Sequence, residues 1–506
     1  MRFLVPVLLL CVPAAGQRIN HEGRILGEAP VVTQPLLFNT AAADAVVSAL
    51  QIMPRDSPWN EDISRRPLLP NSDAMITRVK SDLAVISGRQ NLRPFFEMNY
   101  VLVPDNQPAV AIPFFEYPEE SDLDGGTFPE GLYPVPYNMP VEGWPRETGT
   151  LTNAEWQQDI NDDGGDRHSI IIKPGTGSFW ETWQAKRTGS SWEAANGAKW
   201  NLTSNALRPA GWTSADAGGL PMFPALVRHD ECQRGMVEHA LRLIVKRTRT
   251  GPIYPATHQA SDPETSDPNV PAMGQRFRLK SGFVIPDNWS IFEKAVLRAL
   301  KKYGAIVADN GNFFSVSVAP DDRFPANAFS NIRNSIDISN FEVLQTTGPA
   351  GGPRSPGAPV VSAGPDQSVS SASASMTVNL SGSVTVPGIV TLEWKLYSGP
   401  APVMFGNASA AVTSVSFSAP GSYTLMISAA DGVHAVAYDA ATFNFFVTID
   451  AAITAAGNDI RVSFPSVFGR HYRVQRSSNL TAWQTLADNV AGNGSPLTVT
   501  DAGALI

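Results

Sequence analysis

The sequence predicts a mainly β protein of several domains: an N-terminal β-sandwich or jelly-roll-like domain with at least one amphipathic helix near 290–303, followed by an Ig-like β-sandwich and a small β-module. Three observations carry this reading. Charged residues are only 17% of the chain while Gly (40) and Pro (41) are abundant, a balance that fits β-rich extracellular domains. Short alternating runs bounded by turn residues recur, most clearly after residue 360. Helical periodicity is scarce, and one segment shows it plainly.

The N-terminus has the pattern of a secretory signal over residues 1–16. Arg2 is followed by the apolar run Phe3 to Val12 and by Ala14-Ala15-Gly16 before Gln17. That run is too short and wrongly flanked for a membrane span. Leu10 precedes Cys11 where lipidation would want a small residue. Removal of the signal leaves Cys232 alone, so no intrachain disulfide is expected and packed cores must hold the chain. No other apolar run approaches the roughly 18 residues of a span. A length of 506 residues allows two to four domains, and a net charge of −9 without basic clusters argues against nucleic acid. The expectation is a secreted or cell-surface monomer that needs no cofactor.

The sharpest boundary is the Gly/Pro linker 347–359, from which no core can be built. Nine of the eleven tryptophans precede it, so function is expected in the main domain, 17–346. Beyond it, 360–450 contains Ser362-Ala363-Gly364-Pro365-Asp366-Gln367, Val378-Asn379-Leu380-Ser381-Gly382, Leu392-Glu393-Trp394-Lys395, Gly421-Ser422-Tyr423-Thr424-Leu425 and Ala430-Asp431-Gly432. These strand-and-turn spacings fit a sandwich of short strands, and the segment resembles the PKD-type Ig-like modules of secreted bacterial proteins. The resemblance implies a spacer or adhesion role without catalysis, with Trp394 as the core tryptophan. Residues 451–506, with Arg461-Val462-Ser463-Phe464 and Tyr472-Arg473-Val474-Gln475, resemble a small C-terminal β-module of exported bacterial proteins, here without an evident closing strand.

Within the main domain Ser290 and Glu293 form a capping box ahead of Phe292, Ala295, Val296, Ala299, Leu300 and Tyr303 at helical spacing. Gly304 follows as the C-terminal stop. Ile306-Val307-Ala308 then leads through Asp309-Asn310-Gly311, read as a hairpin turn, into a strand at Phe313–Val318. Asp309 is accordingly a turn residue in this reading.

The most informative local geometry is at 168–185. Two apolar-rich runs, His168–Lys173 and Ser178–Ala185, are split by Pro174-Gly175-Thr176-Gly177, which predicts a hairpin pairing 173 with 178. Ile172 then faces Phe179, Ile170 faces Glu181 and His168 faces Trp183, all six on one side of the sheet. Glu181 lies one diagonal step from His168, roughly 7 Å away at the backbone. An apolar, aromatic setting favours the acid form of a carboxyl, as a general acid requires. The competing reading is a buried Glu181–His168 pair. Trp156, Trp180, Trp183, Trp192, Trp200 and Trp212 crowd the same region, and aromatic faces can stack on sugar rings.

A second polar group is Val227-Arg228-His229-Asp230-Glu231-Cys232, read as a strand over 225–231 with His229 and Glu231 on one face, Arg228 and Asp230 on the other. Four of the seven histidines, including His239 and His258, fall between 168 and 258. No His-Glu-x-x-His or paired-cysteine spacing accompanies them, and no phosphate loop, dinucleotide fingerprint or nucleophile elbow is present. In Asp159-Ile160-Asn161-Asp162-Asp163-Gly164, residues Asp159, Asn161 and Asp163 match the first half of a calcium loop. Its twelfth position is Ile170 instead of Glu, so the choice lies between a truncated site for a structural calcium ion and a solvated turn.

Several phrases resemble an uncharacterised family of secreted bacterial β-rich proteins over about 50–335. They are Asp56-Ser57-Pro58-Trp59-Asn60, Gly165-Asp166-Arg167-His168, Asn205 to Asp216 around Ala206-Leu207-Arg208-Pro209, Met273 to Lys280, and Leu300-Lys301-Lys302-Tyr303-Gly304. Joined to carbohydrate-binding modules in some members, the family points towards polysaccharides and transfers no catalytic assignment.

These readings converge on a secreted carbohydrate-active enzyme, a polysaccharide hydrolase in the first instance. Glu181 would serve as acid/base, with Asp166, Asp230 or Glu231 as the second carboxylate of the pair such hydrolysis uses. Trp183, Trp180, Arg208, Tyr254 and His258 would bind substrate. A lyase would take its base from His168 or Tyr254 and neutralise a uronate with Arg167 or Arg208. The rival is a non-catalytic extracellular protein that binds glycans or mediates adhesion.

Overall fold

The fold is taken from a computed structural model, which describes residues 18–85, 88–161, 165–260, 265–345, 359–371, 373, 375–386, 388–432, 436–447, 451–466, 471–478 and 481–504. The expected signal segment and nearly all of the linker lie outside them. The chain is mainly β, and the main domain is built on two mixed sheets.

The first sheet has five strands in the order Asn196–Asn201, Ser178–Trp183, Ser169–Lys173, Val101–Leu102 and Leu36–Leu37. Its hairpin follows the register read from the sequence: Ile170 pairs with Glu181, Ile172 with Phe179 and Lys173 with Ser178. Pro174 to Gly177 turn the chain, and Gly177 takes a positive φ of 68°, as a tight four-residue loop needs.

The second sheet has six strands in the order Phe341–Val343, Arg276–Leu279, Ala305–Asn310, Leu241–Val245, Phe314–Val318 and Leu92–Phe96. Here the structure corrects a sequence expectation. Ala305–Asn310 and Phe314–Val318 do not pair as a hairpin, because Leu241–Val245 lies between them, parallel to the first and antiparallel to the second. With five apolar-rich residues buried throughout, Leu241–Val245 is a central strand, and central burial outweighs a short connecting turn. Parallel pairs also join Phe314–Val318 to Leu92–Phe96 and Val101–Leu102 to Ser169–Lys173, so strand order in this domain is mixed.

The helix Ile291–Lys302 forms as its periodicity requires. Ser290 Oγ accepts from Glu293 N and Glu293 Oε2 accepts from Ser290 N, at 3.1 Å each. Ala295, Val296, Leu297, Ala299 and Leu300 are buried, each large side chain contributing about 1.5–3 kcal/mol. Gly304 ends it with φ +67°, and a Cβ there would stand 2.2 Å from the Phe277 carbonyl oxygen.

A common core joins the sheets: Ile170, Ile172 and Phe179 of the first pack with Leu243, Val307 and Val316 of the second. Ile171 and Trp180, on the opposite face of the hairpin, enter a smaller core with Phe114 and Tyr133. The face that carries Glu181 is therefore packed interior along most of its length.

After the linker, a four-stranded sheet (Gln367–Ser371, Ala437–Val447, Gly421–Ala430, Thr391–Ser398) faces a three-stranded one (Met376–Ser381, Val412–Phe417, Val403–Phe405). Trp394 is 2% exposed among Leu380, Phe417, Tyr423 and Phe443, and its Nε1 donates to Ala410 O at 3.1 Å. Beyond it Leu497–Asp501 pairs with Asp459–Phe464, and His471–Arg476 pairs with Gln484–Ala491. Among the described residues no helix is long and apolar enough to cross a membrane.

Candidate functional site

A cavity of about 280 Å³ opens where one end of the hairpin meets the end of Ala305–Asn310. Tyr117 and Trp183 form one wall, their ring centroids 6.0 Å apart at 30°. Asp166, His168, His258, Asp309 and Asn310 supply polar groups, and Thr213, Ser214, Ala215 and Ala217 contribute another side. That wall is held in place by Gly219, where φ is +68° and a Cβ would meet Thr257 Oγ1 at 2.1 Å.

A β-bulge delivers Asp309 to this place. Leu243 pairs with Val307, but Ile244 pairs with Asp309, so Ala308 is an extra residue and the alternation reverses. The bulge carries Asp309 to the side where Arg242 lies, and Arg242 Nη2 donates to Asp309 Oδ2 at 2.8 Å. The hairpin-turn reading of Asp309 is thereby corrected: it ends a central strand and faces a cavity.

Beneath the cavity lies a buried ionic cluster. Arg242 is 1% exposed. It holds Asp216 in a two-pronged pair (Nε–Oδ2 2.9 Å, Nη2–Oδ1 2.8 Å). Its Nη1 reaches Ser317 Oγ at 3.2 Å and Glu97 Oε1 at 3.4 Å, and Ser317 Oγ donates to Glu97 in turn. Next to this, His168 Nδ1 meets Glu142 Oε2 at 2.8 Å and His168 Nε2 meets Ala215 O at 2.9 Å. Both partners are acceptors, so both ring nitrogens donate only in the imidazolium. Burial opposes that charge, but the Glu142 carboxylate overrides it and holds His168 up at about 9. Burial raises Glu97 and Asp309 against the pull of Arg242. In direct contact, two cations (Arg242, His168) face four acids (Glu97, Glu142, Asp216, Asp309).

The remaining expected residues are distributed as follows. Asp166 is exposed at the cavity rim and accepts from Trp183 Nε1 at 3.2 Å. His258 lines the cavity and donates from Nδ1 to Ala217 O at 2.8 Å. Glu181 does not reach the cavity. It is 0% exposed, and Oε1 accepts from Phe223 N at 2.8 Å and Met222 N at 2.9 Å. Burial raises it to about 7 against these two N–H groups. The expectation that it is a catalytic acid is corrected, because its side chain closes the start of the buried 3₁₀ turn Phe223–Ala225.

Asp230 and Glu231 also lie apart from the cavity. The strand expected over 225–231 is instead the helix His229–Arg234, ended by Gly235 at φ +81°. Acids in its first turn and Arg234 in its last outweighed the alternation. Arg228 Nη2 pairs with Glu231 Oε1 at 2.8 Å, Glu231 Oε2 with His239 Nε2 at 3.1 Å, and Asp230 Oδ2 with Arg234 Nη1 at 2.7 Å. His229 packs against Phe292 and Phe324. Burial raises the Cys232 thiol well above its usual value, which suits an inert core residue.

Trp180 is buried on the opposite face of the hairpin, with Nε1 donating to Asp124 Oδ2 at 2.8 Å. Arg208 is buried and holds Thr213 O and Asp122 Oδ2 at 2.5 Å each. Arg167 is buried as well, donating from Nε to Ala185 O at 3.1 Å. Tyr254 is 8% exposed and lies outside the cavity lining. Of the calcium candidates, Asp163 lies outside the described residues. Asp159 pairs with Arg167 at 3.5 Å and Asn161 is exposed. Among the described residues no group of three His, Cys, Asp or Glu side chains is placed to hold a metal ion.

Sequence reasoning missed Arg242, Asp216, Glu97 and Glu142. One signal for them was available: a charge inside an apolar run, as in Leu241-Arg242-Leu243-Ile244-Val245 and Phe95-Phe96-Glu97-Met98, marks a buried charge that needs partners.

Residues 363–444 match a family described as a PKD domain. No curated protein matches the chain. Among solved structures, the PKD domain of the KIAA 1837 protein is 22% identical, covers 21% of this chain and 100% of its own, and has a TM-score of 0.17. The PKD domain of human KIAA0319 is 18% identical, covers 21% of this chain and 96% of its own, with a TM-score of 0.17. A nucleoside hydrolase-related hypothetical protein from Saccharophagus degradans, described as associated with carbohydrate metabolism, is 22% identical with a TM-score of 0.14. The alignment covers 16% of this chain and 21% of that protein's length. Two facing sheets around Trp394 and the family match together identify 363–444 as a PKD-type Ig-like module.

Proposed function

We propose that the protein is exported and acts on extracellular glycans in the cavity between Trp183 and Asp309, as a hydrolase. Asp309 is the general acid and Asp166 the second carboxylate. The observation that supports this reading is that two carboxylates in unlike surroundings line one cavity, beside a stacked aromatic wall. Asp309 is partly buried and raised by burial, which keeps a proton available at near-neutral pH, while Asp166 is open to water. Such a division of environments separates acid from base or nucleophile. Trp183 and Tyr117 offer faces on which a sugar ring can stack. A lyase is less well served: both nitrogens of His168 are engaged and Tyr254 lies outside the lining.

One observation favours a second reading, glycan binding without cleavage: Arg242 holds the Asp309 carboxylate at 2.8 Å. The two are separated by incubating the full chain with a polysaccharide panel and assaying reducing ends and unsaturated products. The hydrolase reading expects new reducing ends without unsaturation, and losses of about 100-fold or more in Asp309→Asn and Asp166→Asn. Unsaturated uronates would establish a lyase, and retention on a glycan with no product would establish binding alone.

A further inference from the structure

One group of cations in the main domain lacks counter-charges, although the chain as a whole carries −9. Arg66, Arg78, Arg208, Arg234, Arg278 and Arg323 each pair with a carboxylate. Arg89, Arg93, Arg146 and Arg333 do not: among the described residues, every hydrogen-bond acceptor these four use is a backbone carbonyl. Arg89 Nη1 donates to Asn312 O at 3.0 Å, Arg146 Nη1 to Asp321 O at 2.9 Å and Arg333 Nη2 to Pro94 O at 2.8 Å. Arg93 makes no hydrogen bond among the described residues. Its guanidinium lies 4.5 Å from the ring centre of Phe95 and 4.3 Å from that of Phe313, and Arg89 lies 3.3 Å from Phe313. Stacking holds a guanidinium flat on a ring and leaves its N–H edge free for an oxyanion.

These cations also act against one another. Burial and Arg89 hold Arg93 below its ordinary value against Glu147 and Glu97, and burial, Arg93 and Arg146 do the same to Arg333 against Glu147. Glu97 is engaged with Arg242 and Ser317, which leaves the exposed Glu147 as the acid acting on this face. The patch adjoins the cavity. Asn310 lines the cavity, and Gly311 and Asn312 connect it to Phe313. Asp309 pairs with Ile244, Ile244 with Ser315 and Ser315 with Arg93. Direct cross-strand partners share a face, so Arg93 stands three strands from Asp309, roughly 14 Å away at the usual strand spacing.

We propose that Arg89, Arg93 and Arg333 form an anion subsite for the glycan that enters the cavity, so that the substrate is a polysaccharide bearing carboxylate or sulfate groups. The acids at the cavity repel an anion, so the unit over Asp309 is a neutral one and the charged unit lies outside, against Arg93. Continuity with the cavity favours a glycan over other polyanions. This inference rests on the reading of the cavity as a glycan site and adds the substrate class.

The test titrates polygalacturonate, dextran sulfate, neutral dextran and a DNA oligomer into the full chain at pH 7 by calorimetry. At least one anionic polysaccharide is expected to bind about tenfold or more tightly than dextran, and which one does so separates carboxylate from sulfate. Arg93→Gln and Arg333→Gln should each weaken that binding about tenfold. Arg473→Gln, in the last module and paired with Asp488, should leave it unchanged. Arg333 is exposed, so its replacement carries the test if Arg93→Gln melts below the parent. No preference for the anionic chains, or a preference that survives both substitutions, overturns the inference and leaves the glycan reading to the cleavage assay. DNA bound as tightly as the polysaccharides also overturns it, because the patch then reads charge alone. Anionic binding that the substitutions weaken, without cleavage of any polysaccharide, keeps the inference and removes the hydrolase reading.

Discussion

Two buried ionic clusters sit in the main domain, and they differ in a way that separates structure from function. Around the helix His229–Arg234, three arginines (Arg24, Arg228, Arg234) meet three carboxylates (Asp230, Glu231, Glu238), with His239 against Glu231. This cluster borders a space of about 20 Å³, lined in part by Arg228, Glu231, Glu238 and His239. Under the Trp183–Asp309 cavity, two cations meet four carboxylates, and Asp309 at the edge of that cluster faces about 280 Å³ of open space. A cluster in which arginines and carboxylates are equal in number balances its own charge and orders the chain, even with Arg228 Nη1 buried without a hydrogen-bond partner. An acid excess beneath an opening leaves charge for something else to meet, which is why the second cluster and not the first is assigned the function.

The largest effect expected from this contrast is at Arg242. Arg242→Met leaves Glu97, Asp216 and Asp309 buried without their shared cation and should destabilise the main domain by about 3–5 kcal/mol, read by denaturant unfolding. A loss below about 1 kcal/mol would mean that the acids are solvated, and the cluster would not be the charged body described.

His168 gives the next effect, and its sign depends on pH. Its folded value of about 9 lies above its ordinary 6.5. The stabilisation is thus complete below about pH 6.5 and is lost as pH rises through 9. Glu142 is shifted down, so its share weakens only in acid, as pH falls through its folded value. His168→Gln should cost on the order of 2–3 kcal/mol at pH 6 and little above pH 9, measured by melting at both. A cost that grows with pH would contradict the imidazolium.

Glu181 sharpens the comparison from outside both clusters. Glu181→Leu leaves Met222 and Phe223 N–H without an acceptor and should cost about 1–3 kcal/mol. Activity per folded molecule should be retained, since the side chain does not reach the cavity. Loss of turnover in a chain of unchanged stability would restore Glu181 as a catalytic candidate.

How much of this was legible in the sequence depended on how local each feature is. The hairpin 169–183, the helix Ile291–Lys302 and Trp394 as a core residue were readable because their signals sit within a few residues: a four-residue loop, a capping box, an alternating run. His168 and Trp183 were placed on one face by the same alternation, and the structure gathers them at the cavity together with Asp166. What could not be read is what that face meets. Whether Ile170 and Glu181 look into a cleft or a core depends on the second sheet, whose strand order inserts Leu241–Val245 between chain neighbours. Asp309 was lost for the same reason, with a bulge at Ala308 added. Arg242 and Asp216, 26 residues apart, become a pair only once that order exists.

The central claim is the charge imbalance, and one paired measurement tests it most directly: thermal unfolding of Asp309→Asn and Glu231→Gln at pH 7. Burial raises Asp309, whereas Arg228 and His239 hold Glu231 well below the usual carboxylate range against the effect of its burial. Neutralising Asp309 should therefore leave the melting temperature unchanged or raise it, by up to about 1 kcal/mol of stability. Neutralising Glu231 should lower it by about 2 kcal/mol or more. Equal losses in both would show that the cavity cluster is as balanced as the closed one, and the assignment of function to it would fail.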